Sequence, residues 1–373
     1  MTVYLDHAAT TPLRPLVLEA MMPFLTDQFG NPSGSHAVSR AARKAVDEAR
    51  DVVAECLGCE PGEVIFTGTG TEADNLALAG VVARRPGKVF CSAIEHHAVL
   101  HAVQALRGSV VPVHPTGVVD VDALAAALGP EVSVVSVMLA NNEIGVVQPL
   151  DEVVEVVREH APEAVVHTDA VQAFPWVDVA TAASGAGLVA VSAHKFGGPK
   201  GVGALVARRG VRLAPIMHGG GQERDRRSGT HNVAGIVGMA AAMRITVNER
   251  DATVARVASL RDRLGDALLA ALPGTVETGD RGHKVAGSCH LRFRGIESET
   301  LLVLLDDAGV CASAGSACAS GAMEPSHVLA AIGVDRDEAR SAVRFSLGST
   351  TTEDDVDLAV KAVTEAVSHL REA

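Results

Sequence analysis

Helical and β-type patterns of apolar residues alternate along most of this chain. Stretches with helical spacing fall at 39–57, 72–83, 97–106, 121–128 and 150–160, and short β-rich runs at 63–66, 88–92, 110–113, 132–138, 164–167, 187–191 and 203–207. The run at 132–138 carries apolar residues on both alternating faces, as a strand covered from both sides does. Repeated βα units predict a mostly parallel sheet with helices on either face. The rhythm changes near residue 250. A long helix over 253–272 leads to Gly274, and β-type runs at 288–293 and 342–347 enclose helical stretches at 298–308 and 324–332. Thr352 then opens a final helix with acidic residues in its first turn. The expected architecture is α/β, with a large domain over 13–250 and a smaller α+β domain built from 1–12 and 251–373. No repeat or low-complexity linker separates them, so they are expected to pack tightly.

Composition narrows the function. The chain has 373 residues, of which 47% are apolar, 21% charged and only 3% aromatic. Ala, Val and Leu must fill the core, and platforms for stacking bases are lacking. A net charge of −13 also argues against nucleic acid as a direct partner, since such binding needs a basic footprint. No apolar run approaches the roughly 20 residues of a membrane span, and no signal-peptide pattern stands at the start. A cytoplasmic protein is expected. Six cysteines (56, 59, 91, 289, 311, 318) make no disulfide framework in a chain this size.

Four constellations could carry chemistry. In Ser192-Ala193-His194-Lys195-Phe196-Gly197-Gly198 a lysine follows an apolar strand and precedes a Gly-rich turn. It is either a surface turn residue or a partly desolvated amine of the kind that forms Schiff bases. Phe66-Thr67-Gly68-Thr69-Gly70-Thr71-Glu72 is a strand, turn and helix start; it is either a capped βα turn or a phosphate cradle of free amides and hydroxyls. It matches neither a dinucleotide fingerprint nor a Walker loop. Asp169, in His167-Thr168-Asp169-Ala170-Val171-Gln172, ends a predicted strand, where it can cap a helix or hold a pyridine nitrogen protonated. Cys318 lies in Ser313-Ala314-Gly315-Ser316-Ala317-Cys318-Ala319-Ser320-Gly321, whose composition predicts a mobile loop. A thiol there is either inert or a travelling nucleophile.

These motifs, with Tyr4-Leu5-Asp6-His7-Ala8-Ala9-Thr10-Thr11-Pro12, Gly30-Asn31-Pro32-Ser33, Glu95-His96-His97, Asn141-Asn142-Glu143, His218-Gly219-Gly220-Gly221-Gln222-Glu223 and Arg227-Ser228-Gly229-Thr230, resemble the NifS/IscS-type cysteine desulfurases. Those are class V aminotransferase-like enzymes of pyridoxal-phosphate fold type I. The resemblance runs from residue 4 to the last helix and implies a seven-stranded, mostly parallel sheet in the large domain. It implies that Lys195 binds pyridoxal 5′-phosphate as a Schiff base, that Asp169 pairs with the pyridine nitrogen and that Gln172 bonds the ring hydroxyl. His96 would stack on the ring as a candidate proton donor, and Asn142 would lie at the cofactor's edge. Gly70, Thr71, Ser192 and His194 would hold the phosphate, with Thr230 reaching it from the neighbouring subunit of a homodimer. Asn31 and Arg344 would bind the substrate carboxylate, where a planar guanidinium suits a bidentate pair.

The implied reaction converts L-cysteine to L-alanine, leaves a persulfide on Cys318 and passes its sulfur to an acceptor protein. The Cys318 loop resembles that of the long-loop desulfurases. Forming the thiolate needs a proton acceptor, for which His96 is also the candidate. A related reaction on the same fold, such as transamination or selenocysteine lysis, is the alternative. Gly68 and Gly70 stand where the family commonly has Ser and Ala. The chain ends just past its last helix, without the tail that docks the iron–sulfur scaffold in many relatives, so a thiolation enzyme or another carrier is an equal candidate acceptor. No metal site is expected: Cys56 and Cys59 have C-x-x-C spacing but no second pair, and His97 and His101 lack a zincin pattern. Cys91 and Cys289 fit core strands, while Cys311 could be core or part of the loop.

Overall fold

Seven strands form the central sheet, in the spatial order Val64–Thr67, Gly203–Ala207, Leu188–Ser192, Val165–Asp169, Val132–Ser136, Lys88–Ser92 and Ser109–Val111. This computed structural model describes residues 2–314 and 326–372. Gly203–Ala207 runs antiparallel to both neighbours, and the remaining contacts are parallel. The strands therefore present their C-terminal ends on one edge, with this single exception. Every residue of Val132–Ser136, Leu188–Ser192 and Gly203–Ala207 is buried, which explains runs that show little alternation. The fold class is the one expected from the sequence.

The second core belongs to a three-stranded antiparallel sheet in which Ser288–Phe293 lies between Ala342–Ser346 and Thr275–Glu277. Thr275–Glu277 has no counterpart among the expected strands; it is three residues long and only partly covered, too short for a period to show. The N-terminus joins this part of the molecule. Val3–Tyr4 pairs in parallel with Val310–Cys311, and Val3 and Leu5 are buried beside Leu291, Phe345 and Val363.

The long helix differs most from expectation. It spans Val233–Ala271, 39 residues, and so begins twenty positions before the expected start at 253. Asn232 caps it by accepting from Gly235 N at 3.0 Å. Glycines at 235 and 238 look like breakers in sequence, yet Gly238 marks close packing: a Cβ there would stand 2.7 Å from Met21 Sδ. The helix changes cores as it proceeds. Val233 to Met243 pack under the seven-stranded sheet, whereas Val257, Leu260, Leu264 and Leu268 pack against the three-stranded one. Trp176 touches both cores. No helix among the described residues is long and apolar enough to cross a membrane.

Candidate active site

Five parallel strands deliver their following residues to one edge, where ligands of open α/β sheets gather. Gly70 and Thr71 open the helix after Val64–Thr67, and His96 follows Lys88–Ser92. Asn142 lies in the loop after Val132–Ser136, Asp169 ends its own strand, and Ser192 ends Leu188–Ser192 with His194 and Lys195 just beyond it. The two Gly-rich turns and the strand-end acid, far apart in sequence, thus share this edge.

Lys195 lies under the N-terminal segment. Its Nζ donates to the carbonyl of Ala8 and, at 3.0 Å, to that of Ala9. Gln172 Nε2 donates to the same Ala8 carbonyl at 2.7 Å. Thr11 ties the segment down: its N and Oγ1 both donate to His194 O, at 2.9 and 2.8 Å, while Oγ1 accepts from Gly197 N at 2.8 Å. Thr10 Oγ1 lies 3.2 Å from His194 Nδ1. No role for these backbone contacts was readable in the motif at 4–12, because every residue carries a carbonyl; its polar residues ahead of any helix were the available signal.

Burial and the nearby ammonium set the charges. Burial pushes the Asp169 carboxyl up to about 6, while the Val171 N–H and Lys195 pull the other way. Asp169 Oδ1 accepts from Val171 N at 2.8 Å. His96 is brought down to about 4, chiefly by burial and then by Lys195, and His194 falls to about 4 for the same two reasons. His96 also caps the helix His97–Ala105, its Nδ1 accepting from Ala98 N at 3.1 Å. A neutral imidazole whose Nδ1 is an acceptor carries its proton on Nε2.

Arg344, on Ala342–Ser346, is buried. Its Nη2 meets Asp6 Oδ1 at 2.8 Å and its Nη1 donates to Asn142 O at 2.9 Å. It therefore ties the N-terminal segment to the loop that follows Val132–Ser136. Asn31 sits in an exposed loop and accepts from Ser33 N at 3.0 Å, and Thr230 is exposed in the loop before the long helix. These two are not brought against the Lys195 group within this chain. Cys318 lies outside the described residues. A cavity of about 420 Å³ is lined by Ala8, Asn142, Gln172, Trp176, Lys195 and Ser346 among others; Gly70, Ser192, His194 and Asp169 are not in its lining.

The other cysteines and histidines separate clearly. Cys91 and Cys289 are fully buried, and burial raises both thiols, that of Cys289 to about 12. Cys56 and Cys59 are pushed up to about 11, also by burial, which disfavours the thiolates that metal or redox chemistry needs. His97 stacks on His101 and leans on His327, ring centroids 4.8 Å apart in each case.

A family described as aminotransferase class-V matches residues 3–359. The chain is 46% identical to an IscS-like cysteine desulfurase of Mycobacterium tuberculosis, over 99% of this chain and 97% of that protein. Among solved structures, one described as a NifS-like protein superposes with a TM-score of 0.93 at 36% identity, covering 99% of this chain and all of that one. A second, described as SspA in complex with cysteine, gives a TM-score of 0.80 at 30% identity, over 94% of this chain and all of that one.

Proposed function

The chain belongs to the aminotransferase class-V family, and we propose how its own residues divide the work of that family's cysteine desulfurases. It is a pyridoxal-phosphate-dependent cysteine desulfurase of the IscS/NifS type, releasing the sulfur of L-cysteine and leaving L-alanine. The solved likeness with bound cysteine supports that substrate. The observation that carries the division of roles is the position of Lys195 Nζ, held by Ala8 and Ala9 within electrostatic reach of both Asp169 and His96.

The residues suit the cofactor. Gly70 starts a 15-residue helix whose free N–H groups favour an anion. A Cβ there would come 2.9 Å from Val171 Cγ2 and 3.3 Å from Ser192 Cβ, so only glycine lets the strand end approach the turn this closely. Lys195 would hold the cofactor's aldehyde, Asp169 its pyridine nitrogen and Gln172 its ring hydroxyl. His96 would cover the ring face and Asn142 its edge. Gly70, Thr71, Ser192 and His194 would hold the phosphate, joined by Thr230 from the second subunit of a homodimer. When bound, the cofactor supplies an aldehyde for the substrate amine and a ring that takes up electrons from Cα.

Arg344 would bind the substrate carboxylate, whereas Asn31, expected beside it, lies exposed in the loop at 31–35 and away from Lys195 within this chain. Two Arg344 N–H groups are committed to Asp6 and Asn142, and each terminal nitrogen keeps a second one for the substrate. With the cofactor bound, the Lys195 amine would be the base that moves the Cα proton. His96, neutral with its proton on Nε2, would present that N–H as a hydrogen-bond donor over the reacting atoms. The acceptor role also expected for it does not fit this tautomer, because Nδ1 is occupied by Ala98 N. The Cys318 thiolate attacks the substrate sulfur: an S–S bond forms, the carbon–sulfur bond breaks, and the electrons stay with the three-carbon fragment that leaves as alanine. The persulfide then passes to a sulfur-acceptor protein, either an iron–sulfur scaffold or a thiolation enzyme. A reactive free thiol suits the reducing cytoplasm.

The catalytic unit is a homodimer of chains divided into 13–250 and 1–12 plus 251–373. Its contact includes the helix Pro15–Leu25, where only Val17 is buried and Leu16, Met22 and Leu25 are exposed, with Phe29 just beyond. Incubating the purified protein with L-cysteine and a thiol reductant tests the reading. Alanine and sulfide are expected in equal amounts from a yellow protein, and Lys195→Ala should lose both colour and products. A keto acid in place of alanine would overturn it in favour of transamination.

A further inference from the structure

The turn at 67–71 is held by contacts that the reaction does not use. Gly68 N donates to Glu72 Oε2 at 2.7 Å, and Glu72 N donates to Thr69 Oγ1 at 3.0 Å, so the turn is closed from both sides. Arg227 forks onto the same carboxylate, Nε to Oε1 at 2.7 Å and Nη2 to Oε2 at 3.2 Å. Both side chains are largely covered, 19% and 16% exposed, so solvent screens the pair only partly. A Cβ on Gly68 would lie 2.9 Å from Glu72 Oε2; the space that a larger residue would take is filled by this latch.

Arg227 is held in place by a rigid loop. Glu223, Arg224 and Asp225 have φ of 48°, 59° and 60°, three successive non-glycine residues in the left-handed region. Such a run crowds each Cβ against the following carbonyl and persists only where its surroundings over-determine it. Here the buried Glu223 carboxylate takes Arg50 at 2.6 and 2.9 Å, Phe66 N at 2.9 Å and His231 Nε2 at 2.8 Å. Arg224 and Arg226 donate to the carbonyl of Gly62 at 2.6 and 2.9 Å.

The charge of Glu72 poses a conflict. A carboxylate in the first turn favours the helix, but it would repel a phosphate bound at the same N-terminus. Arg227 removes the conflict by neutralising Glu72 while aiming its oxygen at Gly68 N. We propose that Glu72 and Arg227 are positioning residues for the cofactor's phosphate: the pair fixes the Gly68–Thr71 turn and cancels the Glu72 charge in the first turn of the helix. The inference rests on the cofactor reading above and concerns this chain's own affinity for the phosphate group.

Titration of the apoenzyme with pyridoxal 5′-phosphate and, separately, with unphosphorylated pyridoxal tests it, each followed by the Schiff-base absorbance. Arg227→Ala should weaken pyridoxal 5′-phosphate about 10- to 100-fold, the scale of one charge-assisted contact, and leave pyridoxal within about threefold. The double variant Glu72→Gln/Arg227→Ala should recover much of the loss, because the uncompensated carboxylate is gone. Thermal unfolding of each apoprotein separates folding from binding. Unchanged pyridoxal 5′-phosphate affinity, an equal loss for both ligands, or a double variant as weak as the single one would each overturn the latch. A wild-type protein that gives no Schiff-base band with either ligand overturns the cofactor reading itself, a result distinct from those three.

Discussion

Asp74 Oδ1, on the helix Gly70–Arg84, lies 3.4 Å from Nε2 of His167, which stands two residues before Asp169 on its strand; both side chains are wholly buried. His167 Nδ1 meets Ser136 Oγ at 2.8 Å. Burial holds the imidazole down at about 3. Burial, then the charges of Asp169 and Glu95, raise the Asp74 carboxyl well above its usual range. A protonated acid thus faces a neutral ring.

A pH dependence follows from that pair. With its folded-state value raised, Asp74 keeps a proton that the unfolded chain has released above about pH 4, so its contribution to stability falls as pH rises from there. Asp74→Asn should remove that slope, matching the parent near pH 4 and exceeding it above neutrality in urea unfolding. A variant that is less stable at pH 8 than the parent would sink this account.

Cys318→Ser tests the sulfur acceptor apart from the cofactor. The variant should retain the yellow colour and its response to added L-cysteine. Formation of alanine and sulfide should fall by at least about 100-fold, the scale expected for loss of an attacking nucleophile. Alanine released at the parent rate would assign the sulfur to another group.

Glu223 gathers Arg50, His231 and Phe66 N onto one buried carboxylate behind the Gly68–Thr71 turn. Burial alone would raise its carboxyl, but bonds from His231 and Arg50 outweigh that and bring it to about 2. Its stabilisation is therefore present above about pH 4 and lost as pH falls towards 2. Glu223→Ala strands Arg50 inside the protein and should cost about 3–5 kcal/mol in urea unfolding. The double variant Arg50→Met/Glu223→Leu should cost clearly less. Equal losses would mean that packing, and not the stranded charge, dominates.

The exposed helix Pro15–Leu25 gives a prediction on assembly. Leu25→Glu should convert a dimer into monomers in sedimentation measurements, and should weaken pyridoxal 5′-phosphate if Thr230 serves the opposite site. Because Leu25 is 58% exposed in the single chain, the monomer itself should keep its unfolding midpoint within a degree or two. A dimer that persists places the contact elsewhere.

Much of this architecture could be read from residues. Strands such as Leu188–Ser192 are covered on both faces and announce themselves as apolar runs between helical stretches. Lys195 and Asp169 are visible as candidates because their chemistry lies in side chains at strand ends, whereas Gln172 is pointed to only by the family resemblance. What sequence hid was relational. Ala8 and Ala9 act through carbonyls that any residue possesses, and Arg227 and Glu72 are 155 positions apart. The Pro15–Leu25 helix escaped notice because it is apolar nearly all round and has prolines at 15 and 23. Gly235 and Gly238 hid the start of the long helix by looking like a break where they provide a close approach.

That helix limits how the molecule can move. An unbroken span of 39 residues is about 58 Å of backbone at 1.5 Å per residue, and it enters one core and leaves through the other. A hinge near residue 250 would have to rupture consecutive i to i+4 hydrogen bonds, which no ligand of a few dozen atoms readily compensates. The helix therefore acts as a fixed axle between the seven-stranded and three-stranded sheets, on which the two cores turn only as one.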